Sequence, residues 1–382
     1  MIKLLDYDET QAEFKKSIEK MIEKEVTPNY VDWEKCGLVD RKIWNKMGDL
    51  GMLCPHISEK WGGFGDFTYN VVANETLCEN GATSLAVGLA IHSDIVATYI
   101  EKYGTKEQKA KYLPKMVTGE IVAALGMTEP NAGSDLGAIK TSSVDFEKSL
   151  IVNGQKVFIT NGWHADVVLT AVRTDGEGYG GVSLVLIDTN SSTKEHFDKK
   201  LLNKIGLKSQ DTCELFFNDL VVPQKNILGE RGKGFFMMMD ELPRERLSLS
   251  IGALASTRSI LTETINYVKS RTAFGKEISK FQNTQFKIAE MDSLLSAAES
   301  YGRWCLDCEL KGTLTTEEAS KLKVVSTDLQ CDIVDQCLQL HGGYGYMSEY
   351  NVARAFCDGR VQKIYGGTNE IMKVLISRDL LK

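Results

Sequence analysis

Several features that define large protein classes are missing from this sequence. No apolar run approaches the roughly 20 residues that a membrane-spanning helix needs. The N-terminal stretch, Met1 to Asp8, resembles neither a signal sequence nor an arginine-rich transit peptide. We therefore expect a protein without a membrane span, located in the cytoplasm of a bacterium or, for a processed eukaryotic chain, in the mitochondrial matrix.

Metal-binding patterns are also scarce. The five histidines are dispersed without a ligand spacing, and the nine cysteines are scattered through apolar surroundings, which is typical of a reducing compartment. One close pair, Cys305 and Cys308, lies inside a helical pattern with no second pair at zinc-ribbon distance. Structural cysteines are therefore the favoured interpretation, with metal or redox work as the alternative, and we expect no metal site.

The charge balance argues against general polyanion binding. The net charge is −7, which disfavours nucleic acid and anionic membranes as partners but leaves room for local basic pockets. Hydrophobic residues make up 43% and charged residues 25% of the chain, which is ordinary for a globular protein. At about 100–200 residues per domain, the length of 382 residues suits two or three domains.

The pattern of apolar residues divides the chain into three parts. Residues 1–120 show helical periodicity, whereas residues 121–227 contain short β-branched runs bounded by turn pairs such as Asn153-Gly154 and Asp175-Gly176. Because no helical pattern separates these runs, an antiparallel barrel or sandwich is expected. Residues 228–382 return to long helices, at about 233–270, 282–311, 316–340 and 368–381. The sequence therefore predicts an α+β multidomain fold.

Familiar nucleotide-binding loops are absent. The glycines from Gly229 to Gly234 do not have P-loop spacing, and no Ser or Thr follows their lysine. Those from Gly178 to Gly181 lie in a β-type turn, whereas a dinucleotide fingerprint lies between a strand and a helix. We therefore reject both Walker and Rossmann chemistry.

Three other segments are more informative. Met127–Asp135 reads as a strand end followed by a polar turn whose free N–H groups suit the edge of a planar heteroaromatic ring, although a plain strand connection has the same appearance. In Arg271–Gln282 a helix stops at a Phe-Gly break, where Arg271 and Lys276 suit a pyrophosphate or a solvated turn. The stretch 339–371 is glycine-dense between helices, so its backbone is expected to approach something closely.

Together these segments resemble the acyl-CoA dehydrogenase family of flavoproteins. MTEPNAGSD and QLHGGYGY…IYGGTNEI are specific signatures, and the order of domains agrees over nearly the whole chain. The run Glu241–Leu247 is most similar to the long-chain type. The resemblance implies an N-terminal helical domain (1–120), a middle β domain (121–227), a C-terminal four-helix-bundle domain (228–382) and FAD as the cofactor.

The resemblance also implies roles for particular residues. Those implied to line the flavin ring are Met127, Thr128, Gly133, Ser134, Phe158 and Thr160. Those implied to meet the pyrophosphate and adenosine of FAD are Arg271, Phe274 and Gln282 from a neighbouring subunit, then Gln339, Gly342, Gly343, Thr368 and Glu370. Those implied to contact the acyl-CoA are Ser134, Arg246 and Gly366. Because two subunits would share each FAD, a homotetramer (a dimer of dimers) is implied.

The catalytic base is where this chain departs from the commonest family pattern. Gly366 stands where that pattern has a carboxylate, and glycine cannot remove a proton. The resemblance to the long-chain and isovaleryl-type branches implies that Glu245 is the base, with the Gly366 N–H and a ribityl hydroxyl of FAD as donors to the thioester oxygen. Ser248, Gly252 and Ala255 follow Glu245 on one helix face and leave room for a thin ligand, although close helix packing has the same signature. We expect the pKa of Glu245 to rise when an acyl chain displaces water.

The function implied is FAD-dependent α,β-dehydrogenation of an acyl-CoA to the trans-2-enoyl-CoA. Glu245 would take the α-proton, flavin N5 would take the β-hydride, and an electron-transfer flavoprotein would receive the electrons. The alternatives are a dehydrogenase specific for acyl carrier protein, an O₂-using acyl-thioester oxidase on the same scaffold, and a flavin-binding protein without dehydrogenation. Neither the length nor the branching of the acyl chain follows from the sequence.

Overall fold

The computed structural model describes residues 3–191 and 194–381. Helices come first along the chain, then a β-sheet, then helices again, as the sequence predicts. Among the described residues, seven α-helices precede the sheet: α1 (Glu9–Met21), α2 (Tyr30–Cys36), α3 (Lys42–Asp49), α4 (Thr68–Glu79), α5 (Thr83–Ala90), α6 (Thr98–Tyr103) and α7 (Lys106–Val117). Asp8 and Thr105 begin α1 and α7 as N-caps, each in a capping box with the glutamine three residues later.

A continuous helical run joins α5 to α6. Its middle, Ile91–Ala97, is π-helical. The whole run, Thr83–Tyr103, reaches a mean hydropathy of 1.3 over 18 residues, so by length and composition it could cross a membrane, contrary to our expectation of no such run. Within the protein, however, 83% of that window is buried, which is the behaviour of a core helix.

In the part of the chain that the structure describes, the sheet has eight strands: β1 (Ala123–Gly126), β2 (Ser142–Phe146), β3 (Ser149–Thr160), β4 (Val167–Arg173), β5 (Val182–Asp188), β6 (Phe197–Leu201), β7 (Thr212–Pro223) and β8 (Ile227–Leu228). Their order is β6-β7-β3-β2-β4-β5-β8, with β1 paired to β4. The pairings are antiparallel as expected, except that β1 and β2 each pair in parallel with β4. Parallel neighbours need an intervening connection, which the β2–β3 hairpin provides between β1 and β4, and which β3 provides between β2 and β4.

The C-terminal region contains the four long helices predicted from periodicity, namely α8 (Gly234–Ser270), α9 (Gln282–Leu310), α10 (Thr316–His341) and α12 (Asn369–Leu380). Within this region the sequence did not predict a short hairpin, β9 (Thr272–Ala273) with β10 (Lys276–Glu277), or helix α11 (Asn351–Gly359). Leu247, Ile251, Leu254 and Leu261 form the buried stripe of α8, at the spacing of one helix face.

All nine cysteines are free thiols, and Cys305 is fully buried within α9. Across residues 3–191 and 194–381, no group of three or more His, Cys, Asp or Glu side chains is arranged to hold a metal ion.

Candidate active site

A cavity of about 360 Å³ lies where the two helical regions meet the sheet. Its walls come from α4, from α5 with the π segment, from the turn after β1, from β3, from α8 and from the chain on either side of Gly366. Nine of the residues implied by the resemblance line this one cavity: Met127, Thr128, Gly133, Ser134, Phe158, Thr160, Glu245, Arg246 and Gly366. Ser248 and Gly252 also line it, whereas Ala255 is buried elsewhere along α8.

The other eight predicted residues are not among those lining the cavity: Arg271, Phe274, Gln282, Gln339, Gly342, Gly343, Thr368 and Glu370. The segments that hold most of them meet at one end of the C-terminal helices, where the Arg271 guanidinium lies 5.5 Å from the ring centre of Tyr344. Phe274 is 95% exposed on the single protomer. Thr368 instead begins α12 as its N-cap, directly after the cavity-lining Gly367. The FAD contacts of these eight residues stay predictions.

Glu245 projects from α8 into the cavity but is only 9% exposed. The Tyr99 hydroxyl of α6 donates a hydrogen bond to its Oε1 at 3.0 Å. Burial raises the pKa of Glu245 to about 7, against the lowering effects of the Tyr99 hydrogen bond and the Arg246 charge. The protein itself therefore already supplies the desolvation that we expected from a bound acyl chain. A carboxylate in this state can accept a proton near neutral pH.

Sequence reasoning missed Tyr99. The residue is fully buried inside an apolar helix, and the only sequence signal is the rule that a buried phenol hydroxyl needs a hydrogen-bond partner. One turn earlier on α8, Glu241 has separate partners, since the Lys102 amine lies 2.7 Å and the Tyr103 hydroxyl 2.9 Å from its Oε1. The two glutamates are therefore held by different groups of the same neighbouring helix.

A glycine turn forms the wall near Glu245. Gly366 and Gly367 have φ angles of +65° and +85°, a conformation that favours glycine. The Arg246 Nε donates to the Gly366 carbonyl at 3.3 Å, and the Lys323 Nζ donates to the Gly367 carbonyl at 2.9 Å. Within the described residues no acceptor is found for the Gly366 N–H, which leaves it available to a ligand.

The two cations that donate hydrogen bonds to this turn, Arg246 and Lys323, are both buried. Arg246 is 2% exposed, and Lys323 is fully buried with a second hydrogen bond, at 2.8 Å, to the Asn369 side chain. Burial lowers the pKa of Arg246 to about 10 and that of Lys323 to about 8. The side-chain hydrogen bonds of Arg246 go to the turn and to Ser320, so its implied contact with CoA stays a prediction. Lys323 was not singled out from the sequence.

The polar turn after β1 is held by a buried ion pair. The Lys156 Nζ lies 2.8 Å from Glu129 Oε1 and 3.1 Å from the Met127 carbonyl, and neither charged side chain is appreciably exposed. Glu129 also accepts hydrogen bonds from the backbone N–H groups of Lys140 and Thr141. This pair therefore fixes the backbone of the segment that lines the cavity at Met127 and Thr128.

The residues present fit a flavin. Phe158 lies at an irregularity of β3, with a φ of +61° and a side chain that is 67% exposed along the cavity. Such a bulge redirects a side chain out of the strand's regular alternation. Beside it lie the polar turn and Thr160, and a Cβ added at Gly133 would meet no atom within 4 Å. An apolar wall beside an open polar turn suits a planar ring that forms hydrogen bonds at its edge.

An apolar wall and a polar turn that suit a flavin ring, lining one cavity with a carboxylate whose pKa is about 7, form the site of a flavin-dependent oxidoreductase. The chain belongs to the acyl-CoA dehydrogenase family. It matches the family's N-terminal domain over residues 8–120, its middle domain over 124–220 and its C-terminal domain over 232–381. These matches agree with the three-domain fold and with FAD as the cofactor.

Curated relatives span nearly the whole chain. The long-chain specific acyl-CoA dehydrogenase of Mus musculus mitochondria is 42% identical over 96% of this chain and 86% of its own length. The mitochondrial isovaleryl-CoA dehydrogenase of Solanum tuberosum is 32% identical over 98% of this chain and 92% of its own.

Solved structures of similar fold also superimpose on nearly the whole chain. An acyl-CoA dehydrogenase from Geobacillus kaustophilus superimposes with a TM-score of 0.94 at 45% identity, covering 98% of both chains. A chain in a structure titled for the electron transferring flavoprotein of Acidaminococcus fermentans superimposes at 0.93 with 33% identity, covering 99% of both chains. A glutaryl-CoA dehydrogenase from Mycobacterium smegmatis, in complex with FADH2, superimposes at 0.89 with 26% identity, covering 99% of this chain and 95% of the other.

Proposed function

We propose that this protein dehydrogenates acyl-CoA thioesters to trans-2-enoyl-CoA products, with Glu245 as the base that removes the α-proton. The observation that carries the assignment is the buried Glu245 carboxylate, whose pKa is about 7 and which lines the same cavity as the wall that suits a flavin ring. At neutral pH a substantial fraction of this group is ionised, yet it remains basic enough to take a proton from a weak carbon acid. FAD, when bound, supplies the acceptor for the β-hydrogen, which leaves with its electron pair as the double bond forms.

The thioester oxygen needs stabilisation while the α-proton leaves. Gly366 lines the cavity, and Arg246 and Lys323 donate hydrogen bonds to the carbonyls of Gly366 and Gly367 in its turn. We assign the Gly366 N–H as one donor to the thioester oxygen. Such a donor contributes most when it is already oriented, and losing one typically costs a factor of about 10²–10³ in rate.

The deciding experiment is anaerobic titration of the FAD-loaded protein with acyl-CoA, followed by bleaching of the flavin absorbance. Glu245→Gln should retain FAD and lose bleaching, because the amide cannot accept the α-proton. Glu241→Gln is the matched control, since it removes a carboxylate one turn away on the same helix and should still bleach. Unchanged bleaching in Glu245→Gln would refute the base assignment. A wild-type protein that no acyl thioester bleaches would instead be a flavin-binding protein without this chemistry.

We propose a long, straight acyl chain as the preferred substrate. The Mus musculus relative is a long-chain enzyme, and the cavity continues from Glu245 past the small residues Ser248, Gly252, Ala86 and Ala90. Isovaleryl-type relatives make branched chains the competing class. Rates of bleaching with acyl-CoAs of graded length and branching separate the two classes, and the same chains on acyl carrier protein test the alternative carrier.

We further propose that an electron-transfer flavoprotein receives the electrons and that the protein is a homotetramer. The flavoprotein named with one structural neighbour supports the first proposal. Rapid reoxidation of the reduced enzyme by O₂ alone would favour the oxidase alternative. Phe274 supports the second proposal, because its ring is 95% exposed on the single protomer and the resemblance implies that it contacts the FAD of a neighbouring subunit. Sedimentation of the purified protein tests the assembly. The compartment stays the prediction made from the sequence.

A further inference from the structure

Tyr99 lies directly behind the proposed base. Its side chain is fully buried, and its hydroxyl donates to Glu245 Oε1 at 3.0 Å. In the part of the chain that the structure describes, this is the side-chain hydrogen bond that the Glu245 carboxylate receives. Neutral phenols are strong donors to carboxylates, and burial together with the Glu245 charge keeps the pKa of Tyr99 well above its ordinary value. Tyr99 therefore remains a donor throughout the working pH range.

The π segment accounts for how Tyr99 reaches α8. Residues five apart on an α-helix point about 140° apart, at 100° a residue, so Asp94 and Tyr99 would normally face different neighbours. Residues Ile91–Ala97 are π-helical, which widens the turn. As a result Asp94 contacts the Ser248 hydroxyl while Tyr99 contacts Glu245, and those two partners lie three residues apart on α8. Short π segments inside α-helices are frequent at functional sites.

The other charged neighbours of Glu245 have hydrogen-bond partners of their own. Arg246 on the same helix donates to Gly366 and Ser320. Glu241, one turn away, is bonded by the Lys102 amine. The remaining titratable groups that line the cavity are Cys78 of α4, Asp135 of the turn after β1, Tyr179 before β5 and Tyr365 before the glycine turn. The hydrogen bond that sets the position of the carboxylate itself is the one from Tyr99.

We propose that Tyr99 is a positioning residue for the base, holding the Glu245 carboxylate toward the substrate through its hydroxyl. The inference rests on the proposed role of Glu245. The hydrogen bond favours the ionised carboxylate and restricts its rotation, so that a lone pair of the free oxygen faces the cavity. Restricting a reacting group in this way lowers the entropic part of the barrier.

The test is the pH profile of anaerobic flavin bleaching by a saturating acyl-CoA, measured on the FAD-loaded enzyme. Tyr99→Phe should move the midpoint of the rate upward by about one pH unit, because a hydrogen bond to the ionised form is lost. At a pH one unit below the wild-type midpoint, the rate should fall about tenfold relative to wild type. The apparent affinity for acyl-CoA should stay unchanged. Tyr103→Phe is the matched control, because the Tyr103 hydroxyl donates hydrogen bonds to Asp240 and Glu241. The midpoint of the pH profile of this variant should stay at the wild-type value.

A second variant guards against loss of folding. Tyr99 replaced by 3-fluorotyrosine keeps the shape of the ring and donates more strongly, so its midpoint should move to lower pH. A Tyr99→Phe profile that superimposes on wild type, or an equal shift in Tyr103→Phe, would overturn the positioning role. The proposed function would still stand after either of these results, provided that acyl-CoA bleaches the flavin of the wild-type enzyme and does not bleach that of Glu245→Gln.

Discussion

Replacing Glu245 with glutamine should stabilise the fold at alkaline pH. Burial raises the pKa of Glu245 from 4.5 to about 7, so the folded protein binds more protons than the unfolded chain between these values. Stability contributed by the wild-type residue therefore falls as pH rises through this window. At about 1.36 kcal/mol per pKa unit, the difference of 7 − 4.5 corresponds to a penalty of about 3 kcal/mol above roughly pH 8, which glutamine does not carry.

The assay is chemical unfolding of wild type and Glu245→Gln at about pH 5 and about pH 8. On going from pH 5 to pH 8, the free energy of unfolding of the variant should rise by about 2–3 kcal/mol relative to that of wild type. Taking the difference between conditions removes any pH-independent cost of the amide group. Glu59→Gln is the control, because Glu59 is exposed and its replacement should track wild type at both pH values. A stability difference that is the same at both pH values would refute the raised pKa and, with it, the electrostatic argument for the base.

Three further outcomes are expected. Lys156→Met should lower the free energy of unfolding by about 3–5 kcal/mol and weaken FAD retention, because it leaves Glu129 buried without its cation. In urea unfolding, the double variant that adds Glu129→Gln should recover part of this lost stability. Gly366→Ala should lower the free energy of unfolding by about 1–2 kcal/mol, because the backbone φ of +65° is unfavourable for a residue with a Cβ atom. A thermal unfolding curve that coincides with that of wild type would contradict this prediction. Phe274→Ala should change protomer stability by less than about 0.5 kcal/mol but shift sedimentation toward smaller species, whereas unchanged sedimentation would place this ring outside the assembly contact.

Much of the fold follows from local patterns. Thr105 is a residue type typical of helix N-caps, and the structure begins α7 at the next residue, with Thr105 in a capping box. The apolar spacing of α8 predicts a long helix, and it runs unbroken from Gly234 through Pro243 to Ser270. The hairpin after Arg271 and helix α11 were missed because both are short and lack a strong apolar period. The parallel pairings of β4 were missed because strand order is not encoded in any one strand.

Residue identity and short-range spacing are enough to predict the three-part order, the family and the absence of a carboxylate at Gly366. The raised pKa and the orientation of Glu245, by contrast, depend on tertiary contacts. Its pKa depends on burial and on a hydroxyl 146 residues away in the chain, and the turn at Gly366 depends on a buried lysine from α10. Desolvation and contacts of this kind arise when distant segments pack against each other, so they are properties of the folded chain.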